Sequence, residues 1–115
     1  MKDLPTGIDR HGRLDAAKDH LKDLIGFDTV SRNSNLPIIG HLEAVLSGLG
    51  GHATRLPDAS GDKANLVVRF GPEGVPGVVL SGHTDVVPAR ARNWTTPPFE
   101  ADERAARIWG GEAAT

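Results

Sequence analysis

The stretch Gly77-Val78-Val79-Leu80-Ser81-Gly82-His83-Thr84-Asp85-Val86-Val87-Pro88 decides how this chain is read. A short run of aliphatic and β-branched residues leads into a glycine, then a histidine and an aspartate two positions apart, and Pro88 stops any further regular strand. Val78-Val79-Leu80 lacks polar alternation, which predicts a strand covered on both faces. Side chains of an extended segment alternate faces, so His83 and Asp85 are expected to point one way and Thr84 the other. That arrangement suits a metal ligand and the carboxylate that orients it. Zinc binds a neutral imidazole nitrogen, and metal-bound histidines nearly always give their other ring N–H to a carboxylate or carbonyl.

Upstream of this stretch, Ala64 to Phe70 reads as a second strand, preceded by a turn at Asp58 to Lys63 and a short extended piece from His52 to Pro57. Two helices precede the strands. From Arg13, the residues Leu14, Ala17, Leu21, Leu24 and Ile25 recur near a helical period with charges on the opposite face, which predicts an amphipathic helix ending near Phe27. The second helix starts after Asn35, a capping residue followed by Leu36-Pro37, and carries Leu36, Ile39, Leu42, Val45, Leu46 and Leu49 as one apolar stripe. Paired glycines at 50 and 51 offer a left-handed end to it. His20 lies on the polar side of the first helix and reads as a solvated surface residue, and His41, with no His or Glu at a matching ligand spacing, reads as structural or surface. Thr29 to Asn35 forms a polar turn between the helices, and Met1 to Gly12 reads as a poorly ordered leader.

Downstream, Asn93-Trp94-Thr95-Thr96-Pro97-Pro98-Phe99 is a proline-stiffened loop whose aromatics either wall a pocket or pin the loop to the sheet. Arg107-Ile108-Trp109 is one more candidate short strand. The coarse order is therefore helix, helix, strand, strand, strand, an α/β arrangement with no internal repeat.

Composition narrows the chemistry. The chain has 115 residues, enough for one ordinary domain or less, and its 38% hydrophobic and 24% charged residues are those of a globular chain. Fifteen acidic residues against thirteen basic ones give a formal net charge of −2, and no Lys/Arg block makes a phosphate-binding footprint, so nucleic acid is not an expected partner. Without cysteine there is no disulfide framework, thiolate zinc site or cysteine nucleophile, and a transition-metal site must use histidine and carboxylates. No apolar run approaches membrane-spanning length and the N-terminus has no signal-peptide core, which makes a cytoplasmic location, away from membranes, the expectation.

Taken together, Ser81-Gly82-His83-Thr84-Asp85-Val86-Val87-Pro88, Asn93-Trp94, Pro98-Phe99, Phe27-Asp28-Thr29-Val30-Ser31, Ser34-Asn35-Leu36 and Lys63-Ala64-Asn65-Leu66 resemble the dizinc amidohydrolases and exopeptidases. That family includes acetylornithine deacetylase, succinyl-diaminopimelate desuccinylase, glutamate carboxypeptidase and the aminoacylases, and the earlier segments look most like the acetylornithine deacetylase branch. The resemblance covers residues 13–110 and implies the N-terminal part of a zinc-exopeptidase-like catalytic domain with an incomplete sheet. Residues 111–115 read as a tail foreign to the family.

Carried over residue by residue, the resemblance makes His83 a ligand to one zinc ion and Asp85 the catalytic-site carboxylate that clamps its imidazole. It implies two zinc ions in the intact family, with cobalt or manganese admitted by the same donor types. The implied substrate is an N-acyl amino acid, with acetylornithine favoured by local similarity and succinyl-diaminopimelate or a dipeptide as alternatives. A homodimer is allowed for the intact family. The family segment with the metal-bridging aspartate is absent after Trp109-Gly110, as are the later glutamate pair with its general base and the remaining ligands. Arg90-Ala91 and Ala105-Ala106 stand where the family usually has Asp-Gly turns, and neither pair favours a hairpin. The expectation is a truncated or frame-damaged product, inactive by itself. A non-catalytic interaction module, or an unrelated small α/β domain in which His83 is a satisfied core histidine, are the competing readings.

Overall fold

The computed structural model describes residues 9–90 and 93–110. The chain divides into two compact units, Phe27–Arg90 and the pair of segments Met1–Gly26 and Ala91–Thr115. Most of the expected leader, the tail at 111–115 and Ala91 lie outside the described residues.

In the unit Phe27–Arg90, helix α2 (Leu36–Gly48) packs against an antiparallel hairpin of β1 (His52–Pro57) and β2 (Ala64–Arg69). Asn35 occupies the N-cap position and Pro37 the first turn, as expected, but the Asn35 side chain makes no capping hydrogen bond. It instead pairs with Ala64, donating from Nδ2 to Ala64 O and accepting from Ala64 N, both at 2.9 Å. A side-chain amide carries the same donor and acceptor as a peptide, so it serves here as a one-residue strand neighbour for the start of β2. The helix start is covered by Ser34, whose Oγ accepts from Leu36 N at 3.2 Å and donates to Asp62 O at 2.6 Å.

The far end of α2 closes as the paired glycines predict. Gly50 takes a φ of +90°, Gly50 N bonds Ser47 O, and Gly51 N bonds Leu46 O, both at 3.0 Å. These two bonds form a Schellman motif and satisfy carbonyls the helix leaves open. Gly51 also has no room for a side chain, because a Cβ there would lie 2.8 Å from Leu46 O and 2.9 Å from Phe70 Cζ. The buried residues of this unit are Thr29, Val30, Ile38, Ile39 and Ala64.

β1 and β2 pair from His52 with Arg69 to Pro57 with Ala64. The turn between them is held by Asp58, whose N bonds Lys63 O at 2.9 Å and whose Oδ1 accepts from Ser60 Oγ and Gly61 N. Both extended pieces read in the sequence thus form strands, the second ending at Arg69.

The third strand does not form. Between Gly77 and Pro88 the described backbone makes only one isolated parallel bridge, Val30 with Val86. Val78, Val79 and Leu80 are 88%, 90% and 92% exposed, so the run expected to be covered on both faces is covered on neither. β-propensity measures fit to a pleated, half-buried surface, and among the described residues no neighbouring strand supplies that surface. In place of one incomplete sheet, the described strands form two separate two-stranded sheets.

The second unit contains α1 (Arg10–Ile25) and a hairpin of β3 (Asp102–Arg104) and β4 (Arg107–Trp109). α1 starts ahead of the expected Arg13 because Asp9 caps it, accepting from Gly12 N at 2.9 Å. It ends at Ile25, ahead of Phe27. Only Ile25 of its apolar stripe is buried; Leu14 and Leu21 are 54% and 38% exposed. The charged face makes the contact to the hairpin, with Lys18 Nζ and Lys22 Nζ each 2.8 Å from the Glu103 carboxylate. Trp94 and Phe99 are half-buried and Pro98 is buried. The β3–β4 turn forms on Ala105-Ala106, contrary to the sequence expectation, and both alanines take positive φ, 50° and 61°. That is the backbone of a two-residue primed turn, which Asn-Gly adopts without the Cβ clash that L-alanine incurs.

Three outcomes follow from these contacts. Replacing Ala105 by Asn and Ala106 by Gly relieves about 1–2 kcal/mol of left-handed strain per residue; hydrogen exchange of the β3 and β4 amides should slow, and unchanged exchange would refute the strained turn. Gly51→Ala should destabilise the α2–β2 packing by about 1–3 kcal/mol, read as a lower urea midpoint. The Lys18 and Lys22 hydrogen bonds and charges lower the Glu103 pKa from 4.5 to about 2. Its folded value lies below its unfolded one, so the clamp's contribution is fully present above pH 4.5 and is lost as pH falls toward 2. Glu103 should therefore titrate near pH 2 by carboxyl NMR and move upward in K18A/K22A.

Candidate functional site

The site is built by a turn and a loop that meet through the backbone. The turn at 28–35 is fixed by Asp28, whose Oδ1 accepts from Val30 N at 3.2 Å and from Asn33 Nδ2 at 3.0 Å, and by Asn33 N donating to Val30 O at 2.7 Å. Val86 N then donates to Thr29 O at 3.0 Å and Ser31 N donates to Val86 O at 3.2 Å, the pattern of a parallel bridge. This registers residues 83–86 against residues 29–31. Lys63 Nζ donates to Ser31 O.

His83 and Asp85 come together. His83 Nδ1 lies 3.0 Å from Asp85 Oδ1 and 3.0 Å from the Asp85 main-chain oxygen. An ionised carboxylate and a carbonyl only accept, so Nδ1 must carry the proton. The neutral ring then has its lone pair on Nε2, the nitrogen able to bind a metal ion. Both side chains face water, at 71% and 61% exposure.

The second oxygen of Asp85 accepts from Ser31 Oγ at 3.1 Å. This hydrogen bond foremost, followed by the bond and charge of His83, holds the Asp85 carboxyl below its ordinary pKa against the opposing effect of desolvation. Ionised Asp85 is the form that accepts from both neighbours.

His83 and Asp85 line a cleft of about 320 Å³ with Thr29, Ser31, Asn33, Asn35, Lys63 and Asn65. Apart from Gly82 the lining residues carry polar side chains, with the Lys63 ammonium, the Asp85 carboxylate, the His83 imidazole and several amides and hydroxyls. Sequence reasoning took Thr29 to Asn35 as a capping turn and did not assign Ser31, Asn33 or Lys63 to the site. The signal available was indirect, since the segments Phe27 to Ser31 and Lys63 to Leu66 both carry the family resemblance. His20 is exposed on α1, and His41 packs its ring 5.2 Å from that of Phe27. Trp94 and Phe99 belong to the other unit. Among the described residues no group of three His, Asp or Glu side chains converges on one point.

No family model and no solved structure matches the chain. Similarity to curated proteins nevertheless extends along most of it. Acetylornithine deacetylase of Pasteurella multocida is 32% identical over 111 residues, which is 96% of this chain and 28% of that protein. Succinyl-diaminopimelate desuccinylase of Gluconacetobacter diazotrophicus is 45% identical over 74 residues, 63% of this chain and 19% of that protein. Acetylornithine deacetylase of Edwardsiella ictaluri is 36% identical over 94 residues, 76% of this chain and 24% of that protein. The chain thus spans about a quarter of the length of the curated relatives it matches. On this similarity, carried through most of its residues, the chain belongs to the amidohydrolase family of acetylornithine deacetylases and succinyl-diaminopimelate desuccinylases.

Proposed function

We propose that the chain carries one ligand position of a metal-dependent amidohydrolase that deacylates N-acyl amino acids, with His83 as the ligand through Nε2 and Asp85 as the carboxylate that fixes its ring. The observation that supports this reading best is His83 Nδ1 facing two acceptors of Asp85 at 3.0 Å, which in the neutral ring leaves the lone pair on Nε2. Acetylornithine is the proposed substrate of the intact enzyme and succinyl-diaminopimelate the alternative, matching the names of the relatives. Zinc is the proposed metal, with cobalt or manganese compatible with the same donors.

The donor set tests the fit of the metal. Catalytic zinc sites use about three protein ligands and an open position, and the described residues offer the His83–Asp85 pair without two further ligands beside it. A complete site would supply polarisation of the scissile carbonyl and a metal-bound water of lowered pKa. His83 accounts for one coordination position of such a site and for no catalytic step alone. Asp85 contributes by keeping the imidazole in one tautomer. The remaining ligands and the general base are proposed to come from residues other than those described.

Zinc titration followed by ¹⁵N NMR of the five histidines tests this reading directly. A weak, saturable shift should appear at His83 Nε2 and vanish in His83→Ala, and Asp85→Asn should weaken the midpoint by roughly 10-fold. The protein should not retain stoichiometric zinc after dialysis and should not hydrolyse N-acetylornithine. A zinc response confined to other histidines would overturn the ligand assignment, and stoichiometric retention would overturn the incomplete donor set.

A further inference from the structure

We infer that Ser31 is a positioning residue for His83, acting through Asp85: its hydroxyl holds one carboxylate oxygen so that the other faces Nδ1 of the imidazole. This inference rests on the proposed role of His83 as a metal ligand and adds a residue to it.

An exposed serine hydrogen bond is ordinarily weak, because the side chain rotates and water competes for both partners. Ser31 differs in how its backbone is held. Its N–H donates to Val86 O at 3.2 Å, and its carbonyl accepts from Lys63 Nζ. The residue before it, Val30, is buried and forms the bridge to Val86. With both main-chain groups occupied, rotation about χ1 is the main freedom left to the hydroxyl. The bridge also sets where that hydroxyl lies, since Val86 directly follows Asp85 in the chain.

Asp85 has no comparable restraint of its own. Its side chain is 61% exposed, and its two oxygens are divided between Ser31 at 3.1 Å and His83 at 3.0 Å. Anchoring Oδ2 fixes the plane of the carboxylate and hence the direction from which Oδ1 meets the ring. Loss of the anchor leaves Nδ1 with the main-chain oxygen of Asp85 but with a carboxylate free to turn toward water. The Nδ1–H tautomer is then less favoured, and a smaller fraction of His83 presents an unprotonated Nε2.

The test compares the unmodified chain with Ser31→Ala and Ser31→Thr by long-range ¹H–¹⁵N correlation of the His83 ring, at a pH where the imidazole is neutral, before and during zinc addition. The unmodified chain and Ser31→Thr, which keeps the hydroxyl, should both show the Nδ1–H tautomer predominating. Ser31→Ala should shift the ring nitrogens toward a tautomer mixture and raise the zinc midpoint at His83 by roughly 3- to 10-fold, below the effect of removing the carboxylate itself. Unchanged β1 and β2 amide signals report that the hairpin is intact in each variant. An unaltered tautomer in Ser31→Ala would overturn the inference while leaving the metal-ligand reading standing. A failure of Ser31→Thr to restore the pattern lost in Ser31→Ala would also overturn it. An altered tautomer in Ser31→Ala, restored by threonine, in a chain whose His83 never responds to zinc would support the positioning role and reject the metal-ligand reading.

Discussion

Two backbone hydrogen bonds, Val86 N to Thr29 O and Ser31 N to Val86 O, carry the candidate site. They are the only strand-like pairing that residues 77–90 make among the described backbone, and they attach the loop bearing His83 and Asp85 to a turn with structure of its own. A histidine and an aspartate two positions apart on a free loop sample many relative orientations. Fixing Val86 against Thr29 and Ser31 removes much of that freedom at the adjacent residue, and the entropic cost is shared with the burial of Val30.

The turn that accepts this loop is a polar hub. Asp28 and Asn33 close it internally, Asn35 substitutes for a strand neighbour at Ala64, and Lys63 reaches back to the carbonyl of Ser31. Asn35 and Lys63 therefore link the turn to the start of β2 from two sides. Asn33, Asn35 and Lys63 also line the cleft, so most of the groups that hold the turn are also those that a bound molecule would meet. Both charged groups engage Ser31, Lys63 donating to its carbonyl and the Asp85 carboxylate accepting from its hydroxyl.

The apolar run Val78-Val79-Leu80 shows the limit of local pattern. Its composition is that of an interior strand, but an interior strand exists only when neighbours satisfy its backbone groups and cover its faces. The described residues offer neither, and its side chains stand in water. The same dependence on neighbours explains α1, where Leu14 and Leu21 remain exposed while Lys18 and Lys22 supply the contact to β3. A continuous apolar run in one case and a helical period in the other identified both elements as surfaces made to be covered, and tertiary contact decides whether covering occurs.

What the amino-acid sequence determined by itself were the features whose causes lie within a few residues. Both helices, the Gly50-Gly51 termination of α2, the β1–β2 hairpin with its Asp58 turn, and the spacing that lets Asp85 reach the His83 ring are local consequences of period, capping and alternation. Tertiary structure decided the rest. Whether Val78 to Leu80 becomes a strand depends on partners remote in sequence, and Ala105-Ala106 is driven into a left-handed turn by the pairing of the strands on either side, against local preference. Ser31 meets Asp85 only because a bridge formed across more than fifty residues sets one backbone beside the other, and no periodicity in the chain encodes that register.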